Sequence, residues 1–316
     1  MSLDPKAREL LAMVYRVNAP RFHELSVSQA RHATQKLMFA FRPEAPAVAS
    51  TTEVPIPRPD GSVLFARLYR PLGCHASEDL GLLIYFHGGG WCTGDLPGYD
   101  VLCRELANQS GAAVLSVDYR LAPEHRFPAA VHDASLAFEW STENASLLGV
   151  DAERIALGGD SAGGNLAIVA ALEARDRAVR MPRALALIYP STQIHSERSS
   201  RETFADGYFL DRESLRWFYE HYFADPAQAH SWQASPMLAA SLAGLPPAIL
   251  ITAGCDPLTD DCVAFAERMV ADGGLVVRHH FEGMVHGFLP LGKFFAQANE
   301  AVRCVSSYLR EALQAS

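Results

Sequence analysis

The sequence predicts an α/β protein built on a mostly parallel sheet covered by helices, and three observations carry that expectation. Apolar runs of strand length alternate with segments of helical length through most of the chain. The later runs are uninterrupted, as in strands buried on both faces. The first two runs are joined by Pro59-Asp60-Gly61, a turn signal, which predicts an antiparallel hairpin at one sheet edge.

Taken in order, eight strands are expected: Thr51–Pro57, Val63–Arg70, LLIYF (82–86), AAVLSV (112–117), RIALG (154–158), ALALIY (184–189), AILIT (248–252) and LVVRHHF (275–281). The second of these should run antiparallel to the rest. Helices are expected near 98–109, 129–146, 162–176, 259–272 and 295–313. Two regions break the rhythm. Residues 1–45 read as helical, with Ser26 and Gln29 at capping-box spacing before ARHATQKLMFAF, yet they precede the first strand. Residues 196–235 place an aromatic-rich insertion between two core strands. It reads either as an extra helix packed by Trp217, Tyr219 and Phe223, or as part of a cap. The domain expectation is therefore a core of 46–195 and 236–316, with a helical cap from 1–45 and 196–235.

The 316 residues are 49% hydrophobic and 20% charged, enough apolar content for one large core. Net charge is -9, from 27 basic and 36 acidic residues that form no block, which argues against nucleic acid or anionic lipid as a partner. Lys6, Arg8, Glu9 and Arg16 interrupt the N-terminal apolar positions, so no secretion signal is expected. No run approaches the ~18 apolar residues of a membrane span, and a cytoplasmic location is the expectation. Six cysteines without a C-x-x-C pair read as reduced thiols, with neither disulfide nor zinc site.

Within RIALGGDSAGG (154–164), Gly159, Ser161 and Gly163 spell G-x-S-x-G after a strand and before the helix-compatible NLAIVAALEARD. A serine on so tight a strand-to-helix turn projects its hydroxyl above the sheet, and its neighbours must be small. A serine hydroxyl needs a base, and the base needs a carboxylate to hold its tautomer. His286, in GMVHGF after the last strand, can reach across the top of the sheet. His279 and His280 lie inside that strand and read as structural, and His195, His221 and His230 fall in the insertion. Asp256 follows AILIT at the same edge. Asp260 and Asp261 compete with it, but they stand where a helix begins and Asp260 reads as helix-initiating. Asp160 reads as a structural hydrogen-bonding group beside the nucleophile. The chain order Ser161, Asp256, His286 is that of α/β-hydrolases.

FHGGGW (86–91) puts three glycines at that edge, where backbone amides can converge on one oxygen. Gly88, Gly89 and Ala162 are the expected oxyanion donors. His87 is a second candidate base, but it reads better as a residue that pins this loop.

YFHGGGW, VDYRLAPEHRFPAA, GGDSAGGNLA, GYFLDRESLRWF, GLPPAILITAGCDPLTDD and EGMVHGF together resemble the hormone-sensitive lipase family of esterases, bacterial family IV. The resemblance runs over nearly the whole chain beyond the first fifty or so residues. It implies the α/β-hydrolase fold, with Ser161 as nucleophile, Asp256 as acid, His286 as base and the same three oxyanion donors. It also implies that DYRLAPE packs beneath the oxyanion loop. The expected activity is hydrolysis of short- to medium-chain carboxylic esters through an acyl-enzyme, without metal or cofactor. Amide cleavage or deacetylation on the same site is an alternative, as is a receptor role, which in the gibberellin receptors accompanies loss of the base histidine. Phe39, Phe41, Trp91, Tyr208, Phe209, Trp217, Met284 and Val285 are candidate pocket residues. The resemblance also implies a homodimer formed through the edge strand 275–281 and its neighbouring helix.

Overall fold

The computed structural model describes residues 2–17, 19–75 and 79–314. Its strands are β1 (Ser50–Pro57), β2 (Val63–Arg70), β3 (Leu80–Phe86), β4 (Ala113–Val117), β5 (Val150–Asp160), β6 (Ala184–Ile188), β7 (Ala248–Cys255) and β8 (Val276–Val285). They form one eight-stranded sheet in the order β1-β2-β4-β3-β5-β6-β7-β8. β2 is antiparallel to both β1 and β4, and every later pairing is parallel.

The helices are α1 (Pro5–Arg16), α2 (Val27–Phe41), α3 (Leu96–Ser110), α4 (Ala129–Glu143), α5 (Ala145–Leu148), α6 (Ala162–Asp176), α7 (Ser199–Thr203), α8 (Arg212–Tyr222), α9 (Thr259–Ala271) and α10 (Ala296–Ala312). Strand alternation divides the core into two faces. Ile84, Leu115, Leu157, Leu187 and Leu250 bury against α4, α6 and α9, while Leu83, Val114, Ala156, Ile188 and Ile249 bury against α3 and α10. The expected 129–146 helix divides at Asn144, whose amide closes α4 on the Trp140 carbonyl. Ser26 and Gln29 form the capping box at the start of α2, with the Ser26 amide donating to Gln29 Oε1 at 3.0 Å. No helix among the described residues is long and apolar enough to cross a membrane.

The DYRLAPE segment is tied down on two sides. The Ala122 amide donates to the Trp91 carbonyl at 2.9 Å, directly below the glycine loop. Arg120 and Arg58 both donate to the carboxylate of Asp133 on α4, which is buried. Burial alone would raise the Asp133 pKa, but the hydrogen bonds from Arg58 and Arg120 outweigh it and hold the carboxyl below its ordinary range. A lowered folded-state pKa stabilises the protein above the ordinary aspartate pKa, and that stabilisation is lost as pH falls through the folded value. Asp133→Ala strands two guanidinium groups, and we expect it to cost about 3 kcal/mol in denaturant unfolding at neutral pH. The deficit should shrink when the same titration is run in acid.

Candidate active site

β5, β7 and β8 are parallel, so their C-terminal ends reach one edge of the sheet together, and the loops leaving them carry Ser161, Asp256 and His286. The His286 Nε2 lies 2.8 Å from Ser161 Oγ, and its Nδ1 lies 2.7 Å from Asp256 Oδ2. Asp256 is fully buried and also accepts the Leu258 amide at 2.8 Å through its other oxygen. One carboxylate oxygen is thereby left for the imidazole, which fixes the proton on Nδ1 and leaves Nε2 to accept from the serine.

Ser161 has φ 55° and ψ -115°, a strained conformation for a residue with a side chain. The turn holds because its surroundings over-determine it. The Ser161 amide donates to the Ile188 carbonyl at 2.9 Å, and its carbonyl accepts from the Ser191 and Asn165 amides, both at 3.1 Å. The flanking glycines are required by the neighbouring strand as well as by the turn. A Cβ on Gly159 would stand 2.2 Å from the Phe86 carbonyl oxygen, and one on Gly163 only 1.8 Å from the same atom. The nucleophile turn is thus pressed against the end of β3, where the HGGG loop begins.

That loop corrects one expected oxyanion donor. The Gly88 amide donates to Asp160 Oδ1 at 2.8 Å and lies 3.1 Å from the Tyr99 hydroxyl oxygen, so it is unavailable to a substrate. Asp160 also accepts from Tyr85 at 2.8 Å and Tyr99 at 2.9 Å, which makes it the structural acceptor the sequence suggested. Burial raises the Asp160 pKa against the pull of those two phenols. The amides of Gly89 and Gly90 donate to no protein group among the described residues. Ala162 opens α6, where the first amides have no carbonyl partner within the helix. Gly90, with φ 57°, lines the cavity beside Gly89 and was not singled out from the sequence.

The other residues weighed from sequence fall as follows. His87 Nδ1 donates to the Gly88 carbonyl at 2.8 Å, its ring stacks on Tyr119 and its own carbonyl accepts the Tyr119 hydroxyl, so it is bound into the loop. Asp260 sits in the first turn of α9, but its carboxylate accepts from Ser199 Oγ and the Ser200 amide, closing the start of α7 rather than its own helix. Asp261 pairs with Arg201. His280 accepts or donates at Thr252 Oγ1, 2.9 Å away.

A cavity of about 590 Å³ opens on Ser161 and His286. Trp91, Tyr208 and Phe209 line it. Phe39, Phe41, Trp217, Met284 and Val285 do not. Phe39 is 44% exposed under the Arg42 guanidinium, Phe41 packs edge-on to Phe294, and Met284 and Val285 belong to the sheet core. Trp217 lies on the wrong face of α8: Ser214, Leu215, Phe218 and Tyr219 face the cavity, and Trp217 packs beside them on Phe218 and His221. Helical spacing puts 218 about 100° away from 217. Residues not singled out from sequence, including Phe22, Met38 and Leu258, complete the wall. Nothing local marks Phe22 for that role.

Residues 83–290 match the family model described as alpha/beta hydrolase fold. An ethyl acetate hydrolase of Pseudomonas putida is 35% identical over 99% of this chain and 100% of its own length. An arylesterase of Saccharolobus solfataricus is 34% identical over 92% of this chain and 93% of its own. Among solved structures, an ester hydrolase from the metagenome of Lake Arreo superposes with a TM-score of 0.94 at 38% identity, covering 98% of both chains. With the parallel sheet, the serine turn and these relatives in view, the chain belongs to the alpha/beta hydrolase family, in its hormone-sensitive-lipase-type branch.

Proposed function

We propose that the protein is a serine carboxylesterase acting on short- to medium-chain acyl esters. The observation that carries the reading is the chain of contacts Asp256–His286–Ser161, at 2.7 and 2.8 Å, beside a cluster of uncommitted amides. In this mechanism Ser161 Oγ attacks the acyl carbon while His286 Nε2 takes its proton. The amides of Gly89, Gly90 and Ala162 receive the charge on the carbonyl oxygen. The imidazolium then protonates the departing alkoxide. Water, deprotonated by the same nitrogen, attacks the acyl-enzyme; collapse returns the proton to Ser161 Oγ and frees the acid.

In this reading residues 1–45 and 196–235 act as a cap over the core. Its support is that the two segments meet above the cavity: Arg21 Nη1 pairs with Asp206 at 2.7 Å, and Phe22 packs on Phe218 at 4.8 Å between ring centroids. The wall is mainly apolar, and a volume of about 590 Å³ suits a small ester rather than a long-chain triglyceride. We expect kcat/KM for p-nitrophenyl esters to peak at short or medium chains and to fall steeply beyond about ten carbons. A fluorophosphonate should label Ser161 and abolish that hydrolysis in step. Labelling elsewhere, or hydrolysis that survives stoichiometric labelling, would refute the assignment. Including anilides of the same acids in the screen reads ester against amide preference.

A homodimer through β8 is part of the same proposal. β8 is a sheet edge that exposes Val277 (49%), with Leu275 just before it 70% exposed, alongside Arg278, His280 and Glu282; an edge of this kind is open to pairing with a second copy. Light scattering on the eluting protein tests this, and a monomer mass rejects it.

A further inference from the structure

We propose that Tyr189 is a positioning residue for His286, and that the end of β6 is the element that ties the catalytic loops together. The inference rests on the esterase reading above. β6 contributes no member of the Asp–His–Ser chain, yet it lies between β5, which leads to Ser161, and β7, which leads to Asp256. Its end and the residues just after it bond the Ser161 turn, the strand that leads to Asp256 and the loop that follows His286. Ile188 accepts the Ser161 amide at 2.9 Å and Ser191 donates its own amide back to the Ser161 carbonyl at 3.1 Å. Between them, the Tyr189 amide donates to the Ile251 carbonyl of β7 at 2.7 Å. The Tyr189 hydroxyl oxygen accepts the Leu289 amide at 3.2 Å, which anchors the loop three residues beyond His286.

The Tyr189 ring is fully buried, and its centroid lies 4.8 Å from that of the His286 imidazole, with the planes 55° apart. Asp256 holds the imidazole at one atom, Nδ1. Nε2 also meets Ser161 Oγ at 2.8 Å, but that contact is given up once the hydroxyl attacks, and the Asp256 bond alone then leaves the ring able to tilt. A rigid aromatic packed against the ring removes that freedom, and with it the spread of Nε2 positions relative to Ser161 Oγ. Tyr189 takes this place in a conformation with φ 33°, unfavourable for a bulky residue and held by the backbone bonds on either side. A residue required only to fill space there would not need a positive φ, a loop-anchoring hydroxyl and contact with the base at once.

Two variants separate the parts. Tyr189→Phe keeps the ring and loses the Leu289 bond, and Tyr189→Leu loses both. With p-nitrophenyl butyrate we expect kcat to fall about 5-fold in the first and about 100-fold in the second, with KM within about 2-fold of wild type. The phenyl ring thereby rescues most of the loss. The rate of fluorophosphonate labelling at Ser161, which needs the base but not substrate turnover, should fall by the same factors. A Tyr189→Phe enzyme with kcat unchanged, or either variant raising KM while kcat holds, overturns the proposal. If Tyr189→Leu does not fold, Tyr189→Phe decides alone, since it removes one oxygen. Ser161→Ala run in parallel keeps the readings apart: an active Ser161→Ala enzyme defeats the esterase mechanism, whereas an inactive one beside wild-type Tyr189 variants defeats only this inference.

Discussion

Ser161→Ala is expected to lower kcat toward p-nitrophenyl butyrate by about 10⁴- to 10⁶-fold, with the fold and thermal midpoint retained. The size of the effect follows from the geometry. Ser161 Oγ stands 2.8 Å from the only nitrogen of His286 left free to accept its proton, because Nδ1 is occupied by Asp256 at 2.7 Å. Without the hydroxyl there is no acyl-enzyme, and the amides of Gly89, Gly90 and Ala162 are left to polarise the ester for direct attack by water. Removing the hydroxyl leaves the backbone bonds to Ile188, Ser191 and Asn165 in place and keeps the Cβ, so stability should hold. Steady-state kinetics alongside thermal unfolding check both halves. Activity within about 10-fold of wild type would show that another group attacks the ester.

Gly163→Ala is expected to destabilise the protein by about 4 kcal/mol or more, and to cost over about 100-fold in kcat in whatever fraction folds. The added Cβ would sit 1.8 Å from the Phe86 carbonyl oxygen and 2.7 Å from the His87 carbonyl oxygen. Both are backbone atoms, so no side-chain rotation relieves the clash. Either α6 moves off β3, or the end of β3 moves and takes the Gly88–Gly90 loop with it. The first displaces Ser161 and the second displaces the amides proposed to hold the oxyanion. Gly111→Ala is the control. Gly111 has φ 74° but nothing within 4 Å of the added Cβ, so it should cost only about 1 kcal/mol and leave kcat alone. Chemical denaturation and kcat of both variants decide the matter; equal behaviour of the two would mean that close approach at Gly163 is irrelevant.

The strand positions were legible in the sequence because each central strand is an unbroken apolar run, and burial on both faces requires that pattern. Their lengths were less so. β5 begins at Val150, ahead of the expected 154, because Val150 pairs with Leu80 across a bulge, and β7 and β8 extend to a Cys255–Val285 pairing past a second irregularity. Those extensions depend on a partner strand, which no local window contains. The meeting of Ser161, Asp256 and His286 was legible for a related reason. Each follows an apolar run, and parallel strands deliver their C-terminal ends to one edge.

Sequence by itself determined the α/β class, the parallel core, the antiparallel first hairpin and the three loops that converge, since all of these follow from periodicity, turn residues and chain order. Tertiary structure alone decided which glycine amides face the cavity, which aromatics line it and what restrains the imidazole. Gly88 looks like Gly89 and Gly90 in the chain, yet its amide is taken by Asp160 at 2.8 Å while the other two turn into positive φ beside the cavity. Trp217 and Phe218 are adjacent and equally aromatic, yet only one faces the cavity. The direction of an amide or a ring is set by what packs against it, and those neighbours come from distant parts of the chain.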